Sequence, residues 1–274
     1  TAPMILSSFS LFRMSKTKKA AALIAAALFL VSCDSKTPVK SPSNINTGKT
    51  QQSNEPMRGV WLTTVSRLDW PPISSINASS SMQRVIQQQA ALREKLDKLK
   101  NLGINTVFFQ VKPDGTALWQ SNILPWSETL TGTIGQYPGY DPLQFMLDEA
   151  HKRGMKVHAW FNPYRVSTNI KPSTVTALNN TLSMTPPSVY VLHRDWIRTA
   201  SDRFVLDPGI PEVRDWITSI VAEVVSRYPV DGVQFDDYFY TETPASALND
   251  NATYRQYGQG FASKADWRRN TTQQ

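Results

Sequence analysis

The stretch DPLQFMLDEAHKRGMKVHAWFNP, residues 141–163, divides into two halves with different periods. Asp141 is placed to cap a helix, Pro142 suits its first turn, and Gly154 supplies a stop, so 141–154 is predicted as a short helix. The residues that follow alternate. Val157, Ala159 and Phe161 share one face of a strand over 155–163, and His158, Trp160 and Asn162 share the other. The same pairing of elements recurs on both sides. Strands are expected at 58–64, 104–112 and 230–237, with helices at 81–103 and 211–228. In the helix at 81–103, Val85, Leu92, Leu96 and Leu99 form the apolar stripe and Gly103 ends it. Residues 113–140 and 164–203 read as long insertions. Strands alternating with helices imply a parallel sheet covered by helices, either a (β/α)8 barrel or a doubly wound sheet. No Gly-rich phosphate loop follows the first strand, and this favours the α/β class of TIM-barrel type. A whole barrel takes about 250 residues. Only four strand-helix units are visible in 57–274, and SKADWRRNTTQQ (263–274) reads as the opening turns of a further helix. The expectation is therefore the N-terminal part of a barrel.

Barrel active sites lie at the C-terminal ends of the strands. In VDGVQFDDYFY (230–240), Val233 and Phe235 belong under helices, which turns Gln234 and Asp236 inward and delivers Asp236 to the rim. Asp237 follows on the opposite face, so the two acids are not expected to work as acid and nucleophile on one bond. The same parity brings Gln110 and Lys112 from the second strand, His158, Trp160 and Asn162 from the third, and Trp61 from the first to the inner face. Arg165 lies just beyond the third strand, and Tyr238 just beyond the fourth. Amide, ammonium, imidazole, indole and carboxylate together suit a sugar, whose hydroxyls pair with polar groups while its C–H faces stack on rings. Each has a plainer reading: Asp236 as a turn cap or a partner for Lys112, His158 as an interior histidine, Trp61 and Trp160 as barrel filling. Asp207, before a Pro-Gly turn and a Pro-initiated helix, reads mainly as a turn residue, and His151 as solvated. His151, His158 and His193 lack the paired spacing of a metal site, and no G-x-S-x-G elbow is present. Carboxylate-driven hydrolysis without a cofactor remains.

The formal charge of +7 is no argument for nucleic acid. Arg13, Lys16, Lys18 and Lys19 precede an apolar run, Ala20–Val31, that is too short to span a bilayer and reads as a signal-peptide core. Residues 14–32 are thus expected to be cleaved, and the chain without residues 1–32 has 25 basic against 22 acidic residues. Leu30-Val31-Ser32-Cys33 resembles a bacterial lipobox, which implies acylation of Cys33, the single cysteine. Residues 1–13 read as a spurious upstream extension. Asp34 resembles an inner-membrane retention signal. Residues 33–56 are rich in Ser, Thr, Asn, Gln, Pro and Lys and read as a disordered tether. As a flexible coil this tether spans roughly 25–30 Å, and roughly 80 Å when stretched.

Four blocks read together, MRGVWLTTVSRLDWPP, LGINTVFFQVKPDGTALWQS, YDPLQFMLDEAHKRGMKVHAWFNPYRVS and VDGVQFDDYFY, resemble glycosyl-hydrolase-like family 10 from about Met57 to Gln274. The resemblance implies a periplasmic, lipid-anchored enzyme, placed at the outer membrane, that cleaves peptide-free peptidoglycan glycan strands near division-site proteins. It also implies a barrel that continues past residue 274. Asp236 matches the acid that commonly serves as nucleophile at the end of the fourth strand, with Asp237 in support and a general acid from a later strand. Retention needs carboxyl groups ~5–5.5 Å apart and inversion ~6.5–9.5 Å. The alternatives are a non-catalytic glycan-binding lipoprotein with a scaffolding role, and a transglycosylase.

Overall fold

The computed structural model describes residues 55–236, 239–240 and 248–273. The expected signal peptide, Cys33, all but the last two residues of the tether, and Asp237 and Tyr238 lie outside the described residues.

Strands β1 (Gly59–Leu62), β2 (Thr106–Lys112) and β3 (Lys156–Phe161) are followed by a hairpin, β4 (Ile197–Ala200) with β5 (Arg203–Leu206), and then by β6 (Gly232–Phe235). The helices in chain order are α1 (Ile73–Ile76), α2 (Ser81–Asn101), α3 (Glu128–Thr131), α4 (Pro142–Lys152), α5 (Pro172–Asn179), α6 (Val189–Leu192), α7 (Pro211–Arg227), α8 (Asn251–Tyr257) and α9 (Lys264–Gln273).

The main sheet is parallel, in the order β1-β2-β3-β6. Each new strand adds to the same edge. A doubly wound sheet reverses its order at a switch point, so this succession is the arc of a barrel. Four strand-helix units of a TIM-barrel type are present, as the alternating pattern implies.

The opening stretch folds as read. Asp141 Oδ1 accepts from the Gln144 amide at 3.0 Å, Pro142 begins α4, and Gly154 takes a left-handed φ of 67° at the turn into β3. Leu143, Met146, Leu147 and Ala150 of α4 lie buried against Val157, Ala159 and Phe161 of β3. Helices α2 and α7 extend this layer through Leu92, Leu96, Ile220 and Val224, and Leu62, Val107, Phe109 and Val111 complete it from β1 and β2.

One position in α2 departs from the stripe. Gln88 is fully buried; its Nε2 donates to the Leu130 carbonyl at 2.7 Å and to Ser75 Oγ at 3.1 Å, and its Oε1 accepts from the Tyr140 hydroxyl at 3.0 Å. This amide binds segment 113–140 to the barrel wall. The hairpin β4–β5 falls inside and just past the stretch 164–203 that reads as a long insertion. Its two-residue turn, Ser201 and Asp202, has φ of 49° and 55°, the left-handed pair that joins short antiparallel strands. A bridge between Arg165 and Val205 fastens it to the segment after β3.

Candidate functional site

The strand registers stack the inward residues in rows. Trp61, Phe108, His158 and Gly232 form one row, and Gln110, Trp160 and Gln234 the next. The top is set by two bonds that carry the ladder past the strands, Asn162 N–H to the Lys112 carbonyl at 2.9 Å and Asp236 N–H to the Phe161 carbonyl at 3.1 Å.

Two expected rim residues belong lower down. His158 precedes Asn162 by four positions, which at ~3.3 Å per residue puts it about 13 Å beneath the mouth. Its ring lies over Gly232, where an added Cβ would come within 2.6 Å of Cε1, and it meets Phe108 edge-on at 5.0 Å. Burial lowers its pKa, against the attraction of Asp231. Trp61 shares this row, stacked on Phe108 at 4.8 Å and edge-on to Trp160 at 4.8 Å. His158 belongs to the barrel wall, and Trp61 lies exposed on the same inner face.

Two more are tied up within the protein. Gln110 Oε1 accepts from the amides of Thr64 and Val65, each at 2.8 Å, and so fixes the chain leaving β1. Lys112 is buried, its Nζ donating to the carbonyls of Asn162 at 2.9 Å and Pro163 at 3.0 Å. Burial pulls its pKa down to about 7, Asp114 resisting and Arg165 adding to the fall. A register shift between Gln110 and Lys112 explains the surprise, because it carries the lysine under the segment after β3. Lys112 is therefore not a partner of Asp236. Arg165 is buried too, Nη1 donating to the Pro113 carbonyl at 3.4 Å.

Asn162 and Trp160 remain inward-facing. Asn162 Nδ2 donates to the Pro113 carbonyl at 3.2 Å, while its Oδ1 and the Trp160 indole N–H have no partner among the described residues. Asp236 is exposed at the end of β6. Its predecessor Phe235 meets Phe161 at 6.1 Å and lines a cavity with Ile217 of α7, which fixes that residue on the helix side. With the ladder intact at its amide, Asp236 holds the opposite face, and no hydrogen bond of its carboxylate is found among the described residues.

Sequence reasoning missed a second acidic place. Asp114, two residues past β2, and Glu128 of α3 line a cavity of about 150 Å³ with Thr116, Ser167 and Thr174. Burial raises the pKa of both, and Asp114 pushes Glu128 further up. The signal was an acid just beyond a strand end, the rule that singles out Asp236. Asp207 fills its turn role, accepting from the Gly209 amide at 3.0 Å, and it also pairs with Arg198 at 3.1 Å and Thr253. His151 is not merely solvated: its Nε2 lies 2.8 Å from Asp231 Oδ2. Among the described residues, no three His, Cys, Asp or Glu side chains gather as a metal cluster.

The family model for glycosyl hydrolase-like 10 matches residues 56–274. The chain belongs to this family. It is 71% identical over 262 residues to glycosyl hydrolase DigH of Escherichia coli K12, covering 94% of this chain and 60% of that protein. Against glycosyl hydrolase YngK of Bacillus subtilis it is 40% identical over 225 residues, covering 81% of this chain and 41% of that protein. The chain thus spans 60% of the length of the enterobacterial relative. Among solved structures, it is similar to α-L-fucosidase isoenzyme 2 of Paenibacillus thiaminolyticus, with 14% identity and a TM-score of 0.43 over 66% of this chain and 25% of that one.

Proposed function

We propose that this chain is the N-terminal part of a glycoside hydrolase that cleaves peptidoglycan glycan strands from which the stem peptides have been removed. One observation carries the reading. The inner-face parity of β6 presents an exposed carboxylate, Asp236, at the strand ends of a chain that belongs to the glycosyl hydrolase-like 10 family. Asp236 would attack the anomeric carbon or stabilise an oxocarbenium-like transition state, with Asp237 in support and a second carboxyl group protonating the leaving oxygen. Asp114 has the raised pKa that suits an acid, but it faces its own cavity. Asn162 at the mouth and Trp160 below it would hold the reacting sugar. Lipid attachment at Cys33 and the tether to residue 56 would let the enzyme reach the wall from a periplasmic membrane surface, close to division-site proteins.

The test is release of soluble sugar from amidase-treated sacculi by the full-length protein. Asp236→Asn is expected to abolish release while leaving sacculus binding. Binding with no release by the unmodified protein would support a glycan-binding scaffold instead, and lengthened products a transglycosylase.

A further inference from the structure

The segment that leaves β1 holds an arginine with no acid paired to it. Arg67 follows the end of β1 at Leu62, is half-buried, and lies at the sheet end that carries Asp236. Its Nε donates to the Thr129 carbonyl at 2.9 Å and its Nη2 to the Glu128 carbonyl at 2.6 Å. Those two donors form one edge of the guanidinium. The other edge, Nη1 with the second hydrogen of Nη2, has no partner among the described residues. Arg153, Arg198 and Arg268 are half-buried as well, and each of them pairs with a carboxylate.

The backbone beneath Arg67 is held in an unfavourable shape. Ser66 and Arg67 have φ of 52° and 57°, a left-handed region that residues with a Cβ occupy only where their surroundings hold them there. Here they are held. Gln110 Oε1 fixes the amides of Thr64 and Val65, and the Thr63 carbonyl accepts from the amides of Asp69 at 3.1 Å and Trp70 at 3.3 Å. Burial works against the charge of Arg67 and Glu128 supports it, yet Glu128 is itself pushed toward its neutral form by burial and by Asp114. A rigid, half-desolvated guanidinium with a free two-donor edge matches a carboxylate, which it can take through two parallel N–H···O bonds.

Removing the stem peptides from a glycan strand leaves a free lactyl carboxylate on every second sugar, where the intact strand has an amide. Strands β1 and β6 are three strand spacings apart, about 14 Å along the arc. A glycan with its reacting bond at Asp236 therefore brings a sugar one or two places along to Arg67. We propose that Arg67 binds the lactyl carboxylate of a muramic acid residue and thereby selects peptide-free strands. The proposal rests on the glycan reading above. Its test is calorimetry of full-length Asp236→Asn protein with amidase-released glycan strands in two forms, the free acid and the same strands with their carboxylates converted to methylamides. The free acid is expected to bind about fivefold or more tightly than the methylamide. Arg67→Gln is expected to erase that preference and leave affinity for the methylamide form unchanged, which also reports a folded protein, while Arg67→Lys keeps part of it. Equal affinity for the two forms, or a preference that survives Arg67→Gln, would overturn the assignment. Failure to bind either form would instead remove the glycan reading beneath it. Turnover plays no part in the measurement, so a lack of sugar release by the unmodified enzyme would count against the hydrolase reading alone.

Discussion

At the level of single residues, parity decided what the sequence could say. The alternation in β3 and β6 placed Trp160, Asn162 and Asp236 on the inner face correctly, because every second residue of a strand must share a side. It could not supply height, which put His158 and Trp61 in an inner row, nor could it anticipate the register shift that takes Lys112 under the rim. Two consequences can be measured. Gly232→Ala sets a Cβ within 2.6 Å of the His158 ring and should cost about 1–3 kcal/mol, read by urea unfolding. Lys112, with a folded pKa near 7 against 10.5 unfolded, binds its proton less tightly when folded. Its charging penalty is therefore full below pH 7 and is relieved as pH rises towards 10.5. Stability should climb over that window by a contribution of at most a few kcal/mol, and Lys112→Met should flatten the climb.

Among the elements, the main-sheet strands and the long helices were readable and the β4–β5 hairpin was not. Helices α2 and α4 carry caps, stripes and stops in their sequences, and α7 a proline start and an apolar stripe, whereas β4 and β5 are joined by a Ser-Asp turn that lacks the glycine of a readable hairpin. Gln88 was hidden for another reason, since a polar residue on a helix stripe gives no hint of its partners. Gln88→Leu would leave the Leu130 carbonyl and the Tyr140 hydroxyl without their partner. A loss of about 2–4 kcal/mol is expected in chemical denaturation, with earlier proteolysis within 113–140.

For the molecule as a whole, succession along one edge was legible from the strand-helix rhythm, and it yields an arc whose inner face remains partly open. Trp61 is 44% exposed there, stacked on Phe108. This chain by itself should accordingly bind the dye ANS while retaining a cooperative melt, and Trp61→Asp should reduce the fluorescence gain severalfold.

The central claim concerns the carboxylate at the end of β6, and single-turnover cleavage of saturating amidase-treated sacculi by the full-length protein tests it most directly. With Asp236→Asn the rate should fall by at least about 100-fold at unchanged glycan affinity. A variant that cleaves within threefold of the unmodified enzyme would contradict the account.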